Sequence, residues 1–136
     1  MRPKVLLVDD DAEFTELIRY NLKQRGWEIV SAHTGLEGLR LARANLPDVI
    51  LLDVMLPDLD GLSVCHILNS QPSTKDVPVF IMSALDETWA GTRKSAARIN
   101  YFFRKPVSLA LLAERVQAAF AERQSQAQLR LEREEQ

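Results

Sequence analysis

Several short apolar runs in this chain end in a residue able to do chemistry. Lys4 to Val8 runs into Asp9-Asp10-Asp11, Val49 to Leu52 into Asp53, Val77 to Met82 into Ser83, and Asn100 to Arg104 into Lys105-Pro106. Three carboxylates brought within a few ångströms repel one another and hold their protons tightly unless a cation neutralises them. Mg²⁺ suits such a cluster, with Mn²⁺ as a substitute. It takes oxygen ligands octahedrally and is held by one or two carboxylates together with phosphoryl oxygens. Lys105 adds a compact positive charge suited to a phosphoryl group. Ser83 adds a hydroxyl donor. A carboxylate nucleophile, a metal, a lysine and a hydroxyl make a phosphoryl-acceptor site. Each residue alone has a plainer reading: Asp53 can cap a strand, and Asp11 suits a helix N-cap.

To act together these residues must share one edge. The apolar runs are short and unbroken, as in strands buried on both faces of a parallel sheet. Between them the period lengthens. Phe14, Leu17, Ile18 and Leu22 recur at three and four after Asp11, with Gly26 as a C-terminal signal. Leu36, Leu39, Leu41, Ala42 and Leu46 mark a second helix, stopped by Pro47. Further helices are predicted over 62–69, over 87–98 and from Ser108 through Phe120. Five strands alternating with five helices predict an α/β fold with a parallel sheet covered on both faces. Strand C-terminal ends then lie on one edge, where open α/β sheets bind ligands.

The chain has 136 residues, 46% of them hydrophobic, which suits one domain. The domain is expected over 1–122. Residues 123–136, dense in Gln, Glu and Arg, are expected to form a polar helical extension or linker, with only a weak seam through Ala127 and Leu131. A net charge of −2 provides no global field for nucleic acid, so no direct nucleic-acid partner is expected. No apolar run approaches the roughly 20 residues that span a bilayer. With one cysteine, Cys65, there is no internal disulfide framework, and a cytoplasmic location is expected. Cys65 reads as a small buried hydrophobe, and His33 and His66 as isolated surface residues.

Over residues 4 to about 122 the chain resembles the receiver domain of two-component response regulators. Val8-Asp9-Asp10 resembles that family's acidic pair. Asp53 to Pro57 with Asp60-Gly61 resembles the stretch around its phosphorylated aspartate. Ser83-Ala84 and Lys105-Pro106 match its remaining steps. The resemblance implies a flavodoxin-like, doubly wound, five-stranded sheet of order 2-1-3-4-5. It implies phosphotransfer to Asp53 from a histidine kinase or a histidine phosphotransfer protein. It places Mg²⁺ on Asp10, Asp53 and the Met55 backbone carbonyl, with Asp9 indirect. It makes Lys105 and Ser83 the phosphoryl contacts, with Ala84 beside them and Phe102 at the switch-aromatic position. It also implies a cis bond between Lys105 and Pro106.

The chain departs from the family pattern in three places. Arg98-Ile99 stands where Gly-Ala is common, Asn100 and Tyr101 stand where acids are common, and Phe102 replaces the commoner Tyr. The output surface implied is the fourth helix, fifth strand and fifth helix. There Arg93, Lys94, Arg98, Arg104 and Arg115 form a basic face that would oppose a symmetric dimer and favour a separate downstream protein. The expectation is a phosphoacceptor, not an enzyme. Two alternatives stand beside it. One is a phosphorylation-independent pseudo-receiver adaptor, which the complete acidic set and Lys105 oppose. The other is a haloacid-dehalogenase-type phosphatase, suggested by the Asp9-x-Asp11 spacing. Against that phosphatase stand Glu13 where Thr or Val is usual, the lack of an acidic pair near the fourth strand, and no room for a cap.

Overall fold

The computed structural model describes residues 2–84 and 97–135. Five strands, β1 (Lys4–Val8), β2 (Glu28–Ala32), β3 (Val49–Asp53), β4 (Val79–Ser83) and β5 (Tyr101–Arg104), form one parallel sheet of order β2-β1-β3-β4-β5. The described helices are α1 (Ala12–Lys23), α2 (Gly35–Asn45), α3 (Gly61–Ser70) and α4 (Leu109–Glu134). The helix expected over 87–98 lies outside the described residues except for Ala97 and Arg98, which are not helical.

The central strands explain the layering. Side chains alternate across a sheet. Leu6, Val8, Ile50 and Leu52 therefore face one side, with Leu39 and Ala42 of α2 and Val64 and Leu68 of α3. Val5, Leu7, Val49 and Leu51 face the other, with Ile18 and Leu22 of α1 and Leu112 and Val116 of α4. Each of these eight strand residues is at most 1% exposed. Full burial of such a side chain contributes roughly 1.5–3 kcal/mol, so a polar substitution here costs far more than one at the helix surface. The chain turns outward from β1 to β2, then returns past β1 to β3. The crevice between the ends of β1 and β3 is therefore the topological switch point. The register places Val8 beside Leu52, Asp53 beside Met82 and Ser83 beside Arg104.

Two helix faces differ from the sequence pattern. On α1 the buried residues are Thr15, Ile18 and Leu22, while Leu17 is 52% exposed. On α2, Leu39 and Ala42 are buried, but Leu36 and Leu46 are exposed. Leu46 has left the helix at φ 48° as its C-cap, so its side chain no longer follows the helical stripe. α4 runs without a break through 122/123. Arg123 donates to the Pro47 and Asp48 carbonyls, each at 3.3 Å, and pairs with the Asp48 carboxylate at 3.6 Å. Beyond it Ala127 and Leu131 are exposed.

The β3–α3 loop folds back so tightly that it admits no side chain at Gly61. Its N–H donates to the Val54 carbonyl at 2.8 Å, and a Cβ there would lie 2.2 Å from the Asp53 carbonyl oxygen. Gly61→Ala should therefore lower stability by more than about 2 kcal/mol. Urea denaturation measures this, and a loss under 0.5 kcal/mol, by the same surface-substitution scale, would contradict the geometry.

Candidate functional site

At the switch point, Asp9, Asp10 and Asp53 each present a carboxylate oxygen, all within 4.8 Å of one another. Asp9 and Asp53 are buried and Asp10 is exposed. Lys105, just past the end of β5, donates to Asp9 Oδ2 at 2.8 Å and to Asp53 Oδ2 at 3.3 Å. Asp53 Oδ1 accepts the Met55 N–H at 3.2 Å. Asp9 Oδ1 accepts the Asp11 N–H at 2.9 Å, and Asp11 Oδ1 in turn accepts the Phe14 N–H as the N-cap of α1. The first acidic residue thus anchors both the lysine and the start of the helix.

The electrostatics follow from burial and proximity. Burial, and then the Asp9 charge, raise the Asp53 pKa above the ordinary carboxylate range. The Met55 N–H and Lys105 oppose this without cancelling it. For Lys105, burial alone would lower the pKa, but its bonds and charges with Asp9 and Asp53 outweigh that and raise it. A single ammonium serves two carboxylates, so Lys105 is held charged by both while Asp53 keeps the cost of its burial and of the Asp9 charge. An all-oxygen, net-negative cluster at a switch point fits a hard divalent cation.

The remaining candidates take graded positions around this cluster. Ser83 is buried at the end of β4, and its carbonyl accepts the Lys105 N–H at 2.7 Å. Ala84 is exposed beside it. The Met55 side chain is 62% exposed. The Lys105–Pro106 bond is cis. Phe102 is half-buried against the core on the α2–α3 side. Cys65 is fully buried, its thiol pushed up to about 11 by burial, and it donates to the Arg98 carbonyl at 3.3 Å. His66 is exposed. His33 is exposed at the rim, with Nδ1 3.2 Å from the Asp9 carbonyl oxygen.

Two contributors were not apparent as site residues. Phe14, read as a core residue of α1, has its ring 4.3 Å from Lys105 Nζ. Asp58 accepts the Gly35 N–H at 2.7 Å and the Leu36 N–H at 3.0 Å, tying the β3–α3 loop to the start of α2. The Leu36 and then the Gly35 bonds lower its pKa. An acid following Pro57 was the only available clue to Asp58.

This fold and cluster define a receiver of the doubly wound class. The chain belongs to the response regulator receiver domain family, whose model matches residues 5–117, and it is a receiver domain of the two-component kind. It is 39% identical over 128 residues to the transcriptional regulatory protein PrrA of Mycobacterium tuberculosis, covering 92% of this chain and 53% of that one. It is 33% identical over 116 residues to the DNA-binding dual master transcriptional regulator RpaA of Synechocystis, covering 85% and 48%. The chain thus spans about half the length of these curated relatives. A solved receiver domain of a sensor histidine kinase from Pseudomonas aeruginosa, with a magnesium ion coordinated in its active-site cleft, superposes with TM-score 0.78 at 27% identity. That match covers 89% of this chain and 99% of that one. The charge-based expectation of no nucleic-acid partner finds no support here, since RpaA is named as DNA-binding. Among the described residues, no helix is long and apolar enough to cross a membrane.

The Asp53 shift carries a sign. A pKa raised on folding means that the folded state holds the proton more tightly than the unfolded chain. Stability therefore falls as pH rises from the ordinary carboxylate value through the raised one. Above the ordinary carboxylate range and without a cation, the burial of Asp53 therefore weakens the fold. Asp53→Asn should raise Tm by a few degrees at pH 7 in EDTA, and saturating Mg²⁺ should stabilise the native protein more than the variant. Calorimetry in both buffers checks this.

Proposed function

We propose that Asp53 accepts a phosphoryl group from a histidine kinase or a histidine phosphotransfer protein. The observation that carries this is Lys105 bonded to both Asp9 and Asp53 at the switch point. An Asp53 carboxylate oxygen attacks phosphorus, a P–O bond forms as the phosphohistidine P–N bond breaks, and the histidine leaves with the bonding pair. Lys105 moves from the carboxylate to a phosphoryl oxygen. Ser83, on the strand beside Asp53, offers its hydroxyl to another, with Ala84 next to it, and Phe102 follows the change as the switch aromatic. Asp10, Asp53 and the Met55 carbonyl would hold Mg²⁺ or Mn²⁺, with Asp9 assisting through its charge. When bound, the ion supplies the positive charge that the cluster lacks. The magnesium in the P. aeruginosa relative's cleft supports this assignment. Residues 1–122 form the receiver and 123–136 its helical extension, working in the cytoplasm as a phosphoacceptor, not an enzyme.

Incubation with acetyl phosphate and Mg²⁺ should add one phosphoryl mass, and EDTA or Asp53→Asn should abolish it. Intact-mass spectrometry decides; an undiminished adduct in Asp53→Asn would transfer the role to another residue and sink the reading.

The output side leads through β5 and α4 to a downstream protein. A groove of about 440 Å³ there is lined by Arg98, Arg115, Arg123 and Arg130 against Asp76 and Glu122. Asn100 is turned into the sheet: its side chain accepts the Val79 N–H and its own N–H donates to the Val79 carbonyl, both at 2.9 Å. Tyr101 is covered by Arg115, 4.8 Å from its ring. Neither residue offers a copy of this chain an acid to pair with these bases. Arg93 and Lys94 lie outside the described residues. Four bases against two acids line this groove, so two copies facing across a two-fold axis would oppose mostly like charge, and the partner is a separate protein of acidic or apolar complement. Sedimentation velocity with beryllofluoride, a mimic of the Asp53 phosphoryl group, should show a persistent monomer. A shift to dimer that Arg98→Glu abolishes would overturn this.

A further inference from the structure

We propose that Phe14 is a positioning residue for Lys105, holding its ammonium in place while Asp53 changes from carboxylate to acyl phosphate. This rests on the reading of Asp53 as phosphoacceptor. An ammonium has three donors. Asp9 and Asp53 take two, at 2.8 and 3.3 Å, and the Phe14 ring faces the same nitrogen from 4.3 Å. A cation within about 6 Å of a ring centroid is attracted by the ring's negative face, most strongly when desolvated. The Lys105 side chain is only 20% exposed, so this attraction is weakly screened.

The ring does not reach this place by chance packing. Four contacts close a circuit. Lys105 binds one oxygen of Asp9, and the other oxygen of Asp9 accepts the Asp11 N–H. The Asp11 carboxylate accepts the Phe14 N–H, and the Phe14 ring returns to Lys105. The N-cap that starts α1 therefore also sets where the ring stands. During phosphotransfer the 3.3 Å bond to Asp53 must be exchanged for one to a phosphoryl oxygen. Of the three groups placed around the ammonium among the described residues, Phe14 is the uncharged one, and its attraction does not depend on the state of Asp53. A lysine stem of four carbons is otherwise free to swing, and the ring limits that swing.

Phe14→Leu keeps an apolar side chain and a good helix former but removes the ring face. It should slow phosphorylation at low acetyl phosphate by roughly three- to tenfold, through KM more than kcat, and Phe14→Tyr should restore the rate. In a Lys105→Ala background, Phe14→Leu should have no further effect. An independent readout needs no phosphoryl group. In the unmodified protein the ring current should shift the Lys105 ε-methylene proton resonances upfield, and Phe14→Leu should return them to ordinary positions. An equal slowing with and without Lys105, or ε-methylene resonances indifferent to Phe14→Leu, overturns the proposal. If the native protein takes up no phosphoryl group, or Asp53→Asn takes up as much, the reading of Asp53 fails instead. The resonance comparison alone then decides whether Phe14 holds Lys105.

Discussion

The Lys105 ammonium lying between the Asp9 and Asp53 carboxylates is the contact on which the arrangement depends. Two buried like charges in one crevice are costly in water-poor surroundings. One shared cation relieves the pair but does not neutralise the cluster, and burial, then the Asp9 charge, still hold the Asp53 pKa raised. A site so balanced has an unfilled demand for positive charge and a lysine already bonded to Asp53 Oδ2. Its chemistry follows from this shortage.

The fold meets that contact's demands from three directions. The parallel sheet delivers Asp9, Asp53 and Lys105 from β1, β3 and β5, which are not neighbours in sequence. The tight return at Gly61 brings the β3–α3 loop back over Asp53, with the Gly61 N–H on the Val54 carbonyl. Asp58 then fastens the same loop to the start of α2. Loop and helix start are thereby coupled to the strand that carries Asp53. At the far end of β5, Asn69 accepts the Arg98 N–H at 2.6 Å and Cys65 donates to the Arg98 carbonyl, which steadies the chain's approach to the sheet. This is how Arg98-Ile99 enters β5 without the glycine common at that step. The backbone is held by side chains of α3, and Ile99 packs into the core beneath them.

The long last helix joins the site side to the opposite end of the molecule. Its first half buries Leu112, Val116 and Phe120, and Arg123 then grips the turn before β3. That grip is a partly exposed ion pair plus two hydrogen bonds, worth on the order of 1 kcal/mol. It orients the extension more than it stabilises the domain. The arginines beyond and around it face the groove beside β5, so the extension contributes to the surface through which a partner would be met.

Residue order alone determined the strands, the parallel architecture and the group of residues at the strand ends. Unbroken apolar runs have few other physical solutions, and a carboxylate or lysine directly after such a run can only lie at the sheet's edge. The N-cap role of Asp11 and the burial of Cys65 were legible for the same local reason. The helix faces were less so. Leu17, Leu36 and Leu46 fit a periodic stripe yet are exposed, because the width of a buried face depends on what packs against it and where the helix stops. The contacts that Phe14 and Asp58 make were not legible in the sequence. The ring meets Lys105 across 91 positions of chain, and the carboxylate meets the start of α2 across more than twenty. Such contacts have no local signature. They exist only once the sheet has set the distance between strand ends, and tertiary structure alone decides that distance.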